Sequence, residues 1–397
     1  MDQQRIPSFL TQAVERNHAA AIALSDDLAA HPELPDQEFR SSQKIVSLLE
    51  QAGYQVEYPY LGYPTGFHAV LDNGDGPSAA ILVEYDALPG LGHACGHNVH
   101  GSMAVLAALA LAELRDRFQG QVHVFGTPAE EEAGAKVGMA DQGAFDGMAL
   151  AAMVHSWSGG TGTADMDVLS LTCYLVEFRG QAAHAAGAPW DGHSALAAAR
   201  KFLDLADARR ECFTPDIRLN GIFTDGGKAP NIIPDRAEVR LEFRTDSARK
   251  LKAMDEIVRK CAQGAAMALD CQVSFTEGFA SFADMVRVPA LESAVLSIMD
   301  ELGVAHSPVM PPNGSSDVGN VSYRCPTVQP LLPICPEFHP LHTPEFESVI
   351  TCPAAHQAIA GGARLISALL YRALTDGDFR QSLQDSWQEA RRQKLEG

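Results

Sequence analysis

Ala79-Ala80-Ile81-Leu82-Val83 leads without a break into Glu84-Tyr85-Asp86-Ala87-Leu88-Pro89-Gly90, and after Leu91 and Gly92 comes His93-Ala94-Cys95-Gly96-His97-Asn98-Val99-His100. The first five residues are a continuous apolar run, the pattern of a strand covered on both faces in an α/β sheet. From Asp86 to His100 the chain gathers three histidines, a cysteine and a carboxylate, the atom types that bind a borderline transition metal. Ligands at the carboxyl ends of strands are where open α/β sheets place their sites. An apolar helix is expected next, over Met103–Leu114.

The same pattern recurs twice downstream. The apolar run from Gln121 to Phe125 enters Gly126-Thr127-Pro128-Ala129-Glu130-Glu131-Glu132, and a further strand over 149–154 ends at His155. Three strand ends thus deliver Asp86, the pair Glu130/Glu131, and His155. Upstream, apolar spacing predicts a helix from Ser8 to Ala30 and a second one through Gln51, stopped at Gly53. Short strands are expected over 56–60 and 67–71.

The pattern changes near Leu169. Residues 171–178 and 237–243 alternate, 194–206 and 248–267 have helical spacing, and 217–223 and 271–276 read as strands. This β-α-β-β-α-β order predicts a ferredoxin-like α+β insert over 170–282, with 1–169 and 283–397 forming one interrupted α/β domain with a mixed sheet. Beyond it come a helix from Pro289 to Leu302, a Gly/Ser/Pro loop over 311–319, a strand over 327–332 and the stretch Phe338-His339-Pro340-Leu341-His342-Thr343-Pro344-Glu345-Phe346. A helix over 354–374 and a solvated surface helix over 379–394 close the chain.

A length of 397 residues exceeds what one hydrophobic core accommodates, which agrees with two domains. The formal charge of -20 argues against a phosphate backbone or an anionic membrane as partner. No apolar run reaches the ~18 residues of a membrane span. The N-terminal Met1 to Asn17 has no basic region followed by an apolar block, so an unexported protein is expected. The eight cysteines are scattered without a Cys-x-x-Cys pair, which fits a reducing, cytoplasmic compartment.

Amide hydrolysis needs a strong nucleophile, an electrophile on the carbonyl oxygen, and a base that later protonates the leaving amine. Two metal ions provide the first two and a free carboxylate the third. Glu130 and Glu131 fit a split role in which one binds metal and the other, facing away, takes a proton. A plainer reading places both acids at a helix N-terminus, where the macrodipole favours them. From the residues alone, any of His93, Cys95, His97 and His100 can be a ligand, and His339 competes equally with His342. His155 and His184 taken singly read as structural and surface histidines.

Eight motifs together resemble the aminoacylase and carboxypeptidase family of two-metal metallopeptidases, in its amidohydrolase subgroup. They are Tyr85-Asp86-Ala87-Leu88-Pro89, His93 to Asn98, Gly126 to Glu131, Val154-His155, Gly180-Gln181-Ala182-Ala183-His184 with Ala188-Pro189-Trp190, Ala229 to Asp235, Gly314 to Gly319, and His342 to Phe346. That subgroup includes β-alanyl-lysine type dipeptidases, aminobenzoyl-glutamate hydrolase subunits and indole-acetyl-amino-acid hydrolases. The resemblance implies a catalytic domain interrupted by a lid and dimerisation domain, and two divalent ions, zinc or manganese. It implies Cys95, His97, Glu131, His155 and His342 as ligands, Glu130 as general base, and Asp86 as the partner steering a ligand histidine. His184 would reach the oxyanion, commonly from the neighbouring subunit of a homodimer. Asn231 and Arg244 would contact the substrate's carboxylate, and Ser315 with Gly314 would line the cleft. Asn98, where many relatives carry Asp, and His193, where they usually carry an aliphatic residue or Asn, bear on acyl specificity.

The expected function is hydrolysis of an amide or peptide bond in a small N-acyl amino acid or dipeptide. The rival is a non-catalytic, metal-containing subunit that binds amino-acid conjugates. A serine hydrolase built on Ser315-Ser316-Asp317 lacks a Gly-x-Ser-x-Gly elbow.

Overall fold

The structure is a computed structural model that describes residues 6–396; the first five residues of the N-terminal stretch Met1 to Asn17 lie outside the described residues. The chain divides into two compact units, one of Met1–Asp167 with Met285–Gly397, the other of Val168–Asp284.

The larger unit is built on a six-stranded mixed sheet. Its strands lie in the order Gln55–Glu57, Phe67–Asn73, Gly120–Gly126, Ser78–Val83, Leu150–Ala152 and Thr327–Val328. The central strands Ser78–Val83 and Gly120–Gly126 run parallel, and Phe67–Asn73 pairs antiparallel outside them. Against the sheet lies the helix His97–Glu113, whose residues from His97 to Ala112 are all buried. It is apolar around its circumference because the helices Ser8–Ala30 and Pro353–Thr375 enclose it. Buried side chains such as Val105 and Leu106 each contribute about 1.5–3 kcal/mol of burial.

This helix begins at His97, six residues before the expected Met103. Its first turn carries polar side chains that face the interior and find partners there, so hydropathy does not mark its start. Two expected strands are also divided. The run 149–154 forms Leu150–Ala152 in the main sheet, and His155 then opens a new strand, His155–Trp157, rather than ending one. The run 327–332 divides likewise into Thr327–Val328 and Leu331–Pro333. The second halves pair in parallel in a separate four-stranded sheet. The final helix, Gly377–Glu396, is not a solvated segment: Phe379, Leu383 and Trp387 are buried, and Trp387 Nε1 donates to the Ser322 carbonyl at 2.7 Å. Among the described residues no helix is long and apolar enough to cross a membrane.

The smaller unit is a four-stranded antiparallel sheet in the order Arg218–Asp225, Arg236–Thr245, Ser170–Arg179, Gln272–Phe282, covered by the helices Ala195–Ala208 and Ala248–Ala268. Ser194 and Ser247 cap these helices by accepting from the N–H groups of Ala197 and Lys250.

Candidate metal centre

Gly96 links the cysteine to the histidine helix in a left-handed conformation, φ 82°. A Cβ there would stand 2.6 Å from the Cβ of Ser156, so only glycine lets Cys95 and His97 approach the strand that begins at His155. Gly101, one turn on, would place a Cβ 2.3 Å from the Glu84 carbonyl oxygen. The helix therefore lies directly against the strand end that carries Asp86.

Glu130 and Glu131 arrive through strained backbone. Ala129 has φ 58°, a left-handed conformation that costs a non-glycine residue roughly 1–2 kcal/mol. Its N–H donates to the buried Glu38 at 2.9 Å, which holds the turn. The two glutamates occupy a turn, and the next helix starts only at Ala135, so helix-dipole stabilisation does not explain them. Both carboxylates reach His97 Nε2, Glu131 at 3.8 Å and Glu130 at 4.0 Å. They diverge only in their remaining neighbours. Glu131 lies 3.2 Å from His342 Nε2, whereas Glu130 groups with Glu84 and Asp317. His342 is also left-handed, φ 61°, and its N–H donates to the Ala94 carbonyl, which seats that loop beside Cys95.

Hydrogen bonding fixes the tautomers. Asp86 accepts from His97 Nδ1 at 2.9 Å and from the Glu131 N–H at 3.1 Å. Burial would raise the Asp86 pKa, but His97 beside it brings it below the usual carboxylate range. With the proton on Nδ1, His97 Nε2 presents a lone pair, and this buried atom has no hydrogen-bond partner. His155 Nδ1 lies 2.8 Å from the Ser156 carbonyl, which can only accept, so its Nε2 also presents a lone pair, 3.5 Å from Cys95 Sγ. His100 is the reverse. Its Nδ1 accepts the Ser156 N–H and its Nε2 donates to Glu84, leaving it no lone pair for an ion.

Three sets of donors, Cys95/His97/His155, Cys95/Glu131/His342 and His97/Glu130/Glu131, each bring their atoms within 4.8 Å of one another. Burial pushes the Cys95 thiol pKa well up, so a cation is what would turn it into a thiolate ligand. The orphaned His97 Nε2, the facing lone pairs and the excess of carboxylates make this donor set fit divalent ions. His339 is outside these groups; its N–H donates to Ser158 Oγ. A cavity of about 360 Å³ opens on the cluster and is lined also by Gly314, Ser315, Trp157 and Phe338.

The sequence reading missed a second buried layer. Lys136, fully buried, places Nζ 2.5 Å from Glu84 and 2.6 Å from Asp317. Burial opposes its charge, yet Asp317 and Glu84 hold it well above the ordinary lysine range. Glu84 stands two residues before Asp86 and was legible as part of the acidic turn; Lys136 carries no local signal.

The remaining candidates lie in the smaller unit. His184 is exposed and pairs with Ile232 in a two-residue ladder, next to Asn231, whose carbonyl accepts from the Ala185 N–H. Arg244 is opposite Leu171 and bonds Glu242 at 2.8 Å. His193 flanks the same loop and exchanges backbone hydrogen bonds with Gln181.

Strand ends that deliver a buried Cys/His/Glu cluster to a cleft of substrate size define a metal-dependent hydrolase of amide bonds. Residues 80–371 match the model of peptidase family M20/M25/M40. The chain is 34% identical to the Xaa-Arg dipeptidase of Mus musculus over 80% of this chain and 78% of that one. It is 26% identical to one of the p-aminobenzoyl-glutamate hydrolase subunits of Escherichia coli (strain K12), over 97% of this chain and 95% of that one. In fold it is similar to an aminobenzoyl-glutamate utilization protein from Klebsiella pneumoniae, with TM-score 0.73, 20% identity and coverage of 89% and 98%. It is similar also to a dinuclear metal binding peptidase from Bacillus subtilis, with TM-score 0.65, 23% identity and coverage of 89% and 99%. The chain belongs to peptidase family M20/M25/M40.

Proposed function

We propose that this chain cleaves its substrate with two divalent ions, zinc or manganese, held by Cys95, His97, Glu131, His155 and His342. The observation that carries this reading is the convergence of these five side chains, with Glu130 beside them as a further carboxylate. Ions held there would supply an acidified water and a Lewis acid for the amide carbonyl. Glu130 does the remaining proton work. Burial, with Glu84, Glu131 and Asp317 close by, raises its pKa well above the carboxylate range, which suits it to take a proton from water and return it to the leaving amine.

His184 is the oxyanion donor in this reading. Its Nδ1 accepts the N–H groups of Ala186 and Gly187 at 3.2 and 3.0 Å, so Nε2 carries the proton and can donate it. Asn231, beside it, and Arg244 grip the substrate's carboxylate, and Gly314 and Ser315 line the cleft. Arg244 and Arg236 are eight residues apart on one strand, so the strand end from which the His184 loop departs, at Arg179 opposite Arg236, lies ~26 Å from Arg244. One lid cannot bring both to one small substrate, which favours a homodimer whose partner supplies His184. The strand Arg218–Asp225, at the sheet edge with Ile222 and Phe223 exposed, is the surface for such pairing. The eight cysteines, all free thiols, suit a reducing cytoplasm.

Turnover of the zinc- or manganese-loaded protein against N-acyl amino acids, aminobenzoyl-glutamate and lysyl or β-alanyl dipeptides tests the reading. Glu130→Gln should keep its metal and lose at least ~10²-fold in kcat. Near wild-type turnover in the metal-replete variant refutes the mechanism.

A further inference from the structure

Behind the proposed ligands lies a group of three carboxylates, Glu84, Glu130 and Asp317, with oxygens within 4.8 Å of one another. Three converging carboxylates are a set that hard divalent cations accept. The space among them already contains a charge: Lys136 Nζ, 2.5 Å from Glu84 Oε1 and 2.6 Å from Asp317 Oδ1. The lysine is held twice, because Asp317 Oδ2 also accepts its backbone N–H at 3.0 Å. Glu84 is held twice as well, since its other oxygen accepts from His100 Nε2 at 3.0 Å. That same oxygen is only 3.8 Å from His97 Nε2, the lone pair of the first layer.

We propose that Lys136 is a resident cation that takes the place of a third metal ion and pins Glu84 away from the ion at His97. It is a positioning residue, and the inference rests on the two-ion reading above. Buried carboxylates with no counter-charge are strongly disfavoured, and Lys136 supplies that charge directly to Glu84 and Asp317. An ammonium tethered to the helix Ala135–Asp141 pairs with Glu84 and Asp317 without an exchangeable ion, and with His100 on its other oxygen Glu84 has both oxygens engaged. With the lysine shortened to an apolar side chain, the same carboxylates become an all-oxygen site open to solvent cations.

The test is the number of ions per chain, measured by elemental analysis after loading with excess manganese(II) and gel filtration. Wild type is expected to carry two, Lys136→Met three, and the double variant Glu84→Gln/Lys136→Met two again, because a carboxylate has been removed with the ammonium. A Lys136→Met protein with the wild-type count, or a double variant with three ions, overturns the inference. Should Lys136→Met accumulate as folded protein only with added manganese(II), the inference is supported; insolubility with and without the salt overturns it. A wild-type count other than two strikes the two-ion reading, whereas the difference between variant and wild type judges Lys136.

Discussion

Asp86→Asn changes one atom in the support of the metal centre, and its effect follows from hydrogen-bond counting. Asp86 is fully buried and uses both oxygens, one toward His97 Nδ1 at 2.9 Å and one toward the Glu131 N–H at 3.1 Å. Asparagine has one acceptor and one donor for two donors. If its oxygen faces Glu131, its amide N–H₂ faces His97 Nδ1, which must give up its proton; the proton moves to Nε2 and the lone pair is lost. If its oxygen faces His97, donor meets donor at Glu131 and the segment carrying that ligand is pushed away. Either arrangement costs one ligand its alignment, and the loss of such an outer partner typically lowers metal affinity 10–100-fold, about 1.4–2.7 kcal/mol. Competition against a chromophoric chelator gives the affinity, with circular dichroism of the same samples as the check on folding. Folded Asp86→Asn protein that binds zinc within about twofold of wild type refutes the tautomer argument, since the amide cannot satisfy both donors.

Other expectations are independent of that one. Mixing inactive His184→Ala and Glu130→Gln chains should restore about a quarter of wild-type activity, because half of randomly paired dimers are mixed and each has one complete site. No recovery after verified subunit exchange places His184 in its own chain's site or outside catalysis. Glu38 is a stability test: burial, then Asp86, raises its pKa from 4.5 to about 7. Between those values the folded chain binds a proton that the unfolded chain has released, so stability falls as pH rises through this window. The full cost of about 3 kcal/mol is reached above pH 7. Glu38→Gln can still accept from the Ala129 N–H and donate to Thr65, so urea unfolding should find it gaining on wild type from pH 5 to pH 8. A stability difference that does not grow with pH removes Glu38 as its source.

What the sequence makes legible is what repeats locally. Ser8–Ala30 and Pro289–Leu302 follow from apolar spacing and have those bounds in the structure. The divided strands do not, because both halves of 149–157 and of 327–333 are buried, and burial alone cannot say in which sheet; Pro330, at the second division, is the one local sign. The closing helix was misread because its mean hydropathy is low, yet Phe379, Leu383 and Trp387 recur every fourth residue and mark one buried stripe.

The site divides by the same physics. Cys95, His97 and Asp86 lie within twelve residues, so their density is visible in one window of sequence. Spacing alone could not separate His342 from His339; the resemblance chose His342, and the fold carries it to Cys95 and Glu131 and His339 to Ser158. Lys136 is the limiting case. Its partners Glu84 and Asp317 are 52 and 181 residues away, and its own surroundings, Gly134-Ala135-Lys136-Val137, read as an ordinary helix start. An exposed lysine in that sequence would look the same. What makes this one different is its burial among carboxylates, and burial of a charge is decided by which elements close over it, after the strand ends at 84 and 126 and the segment carrying Asp317 have met.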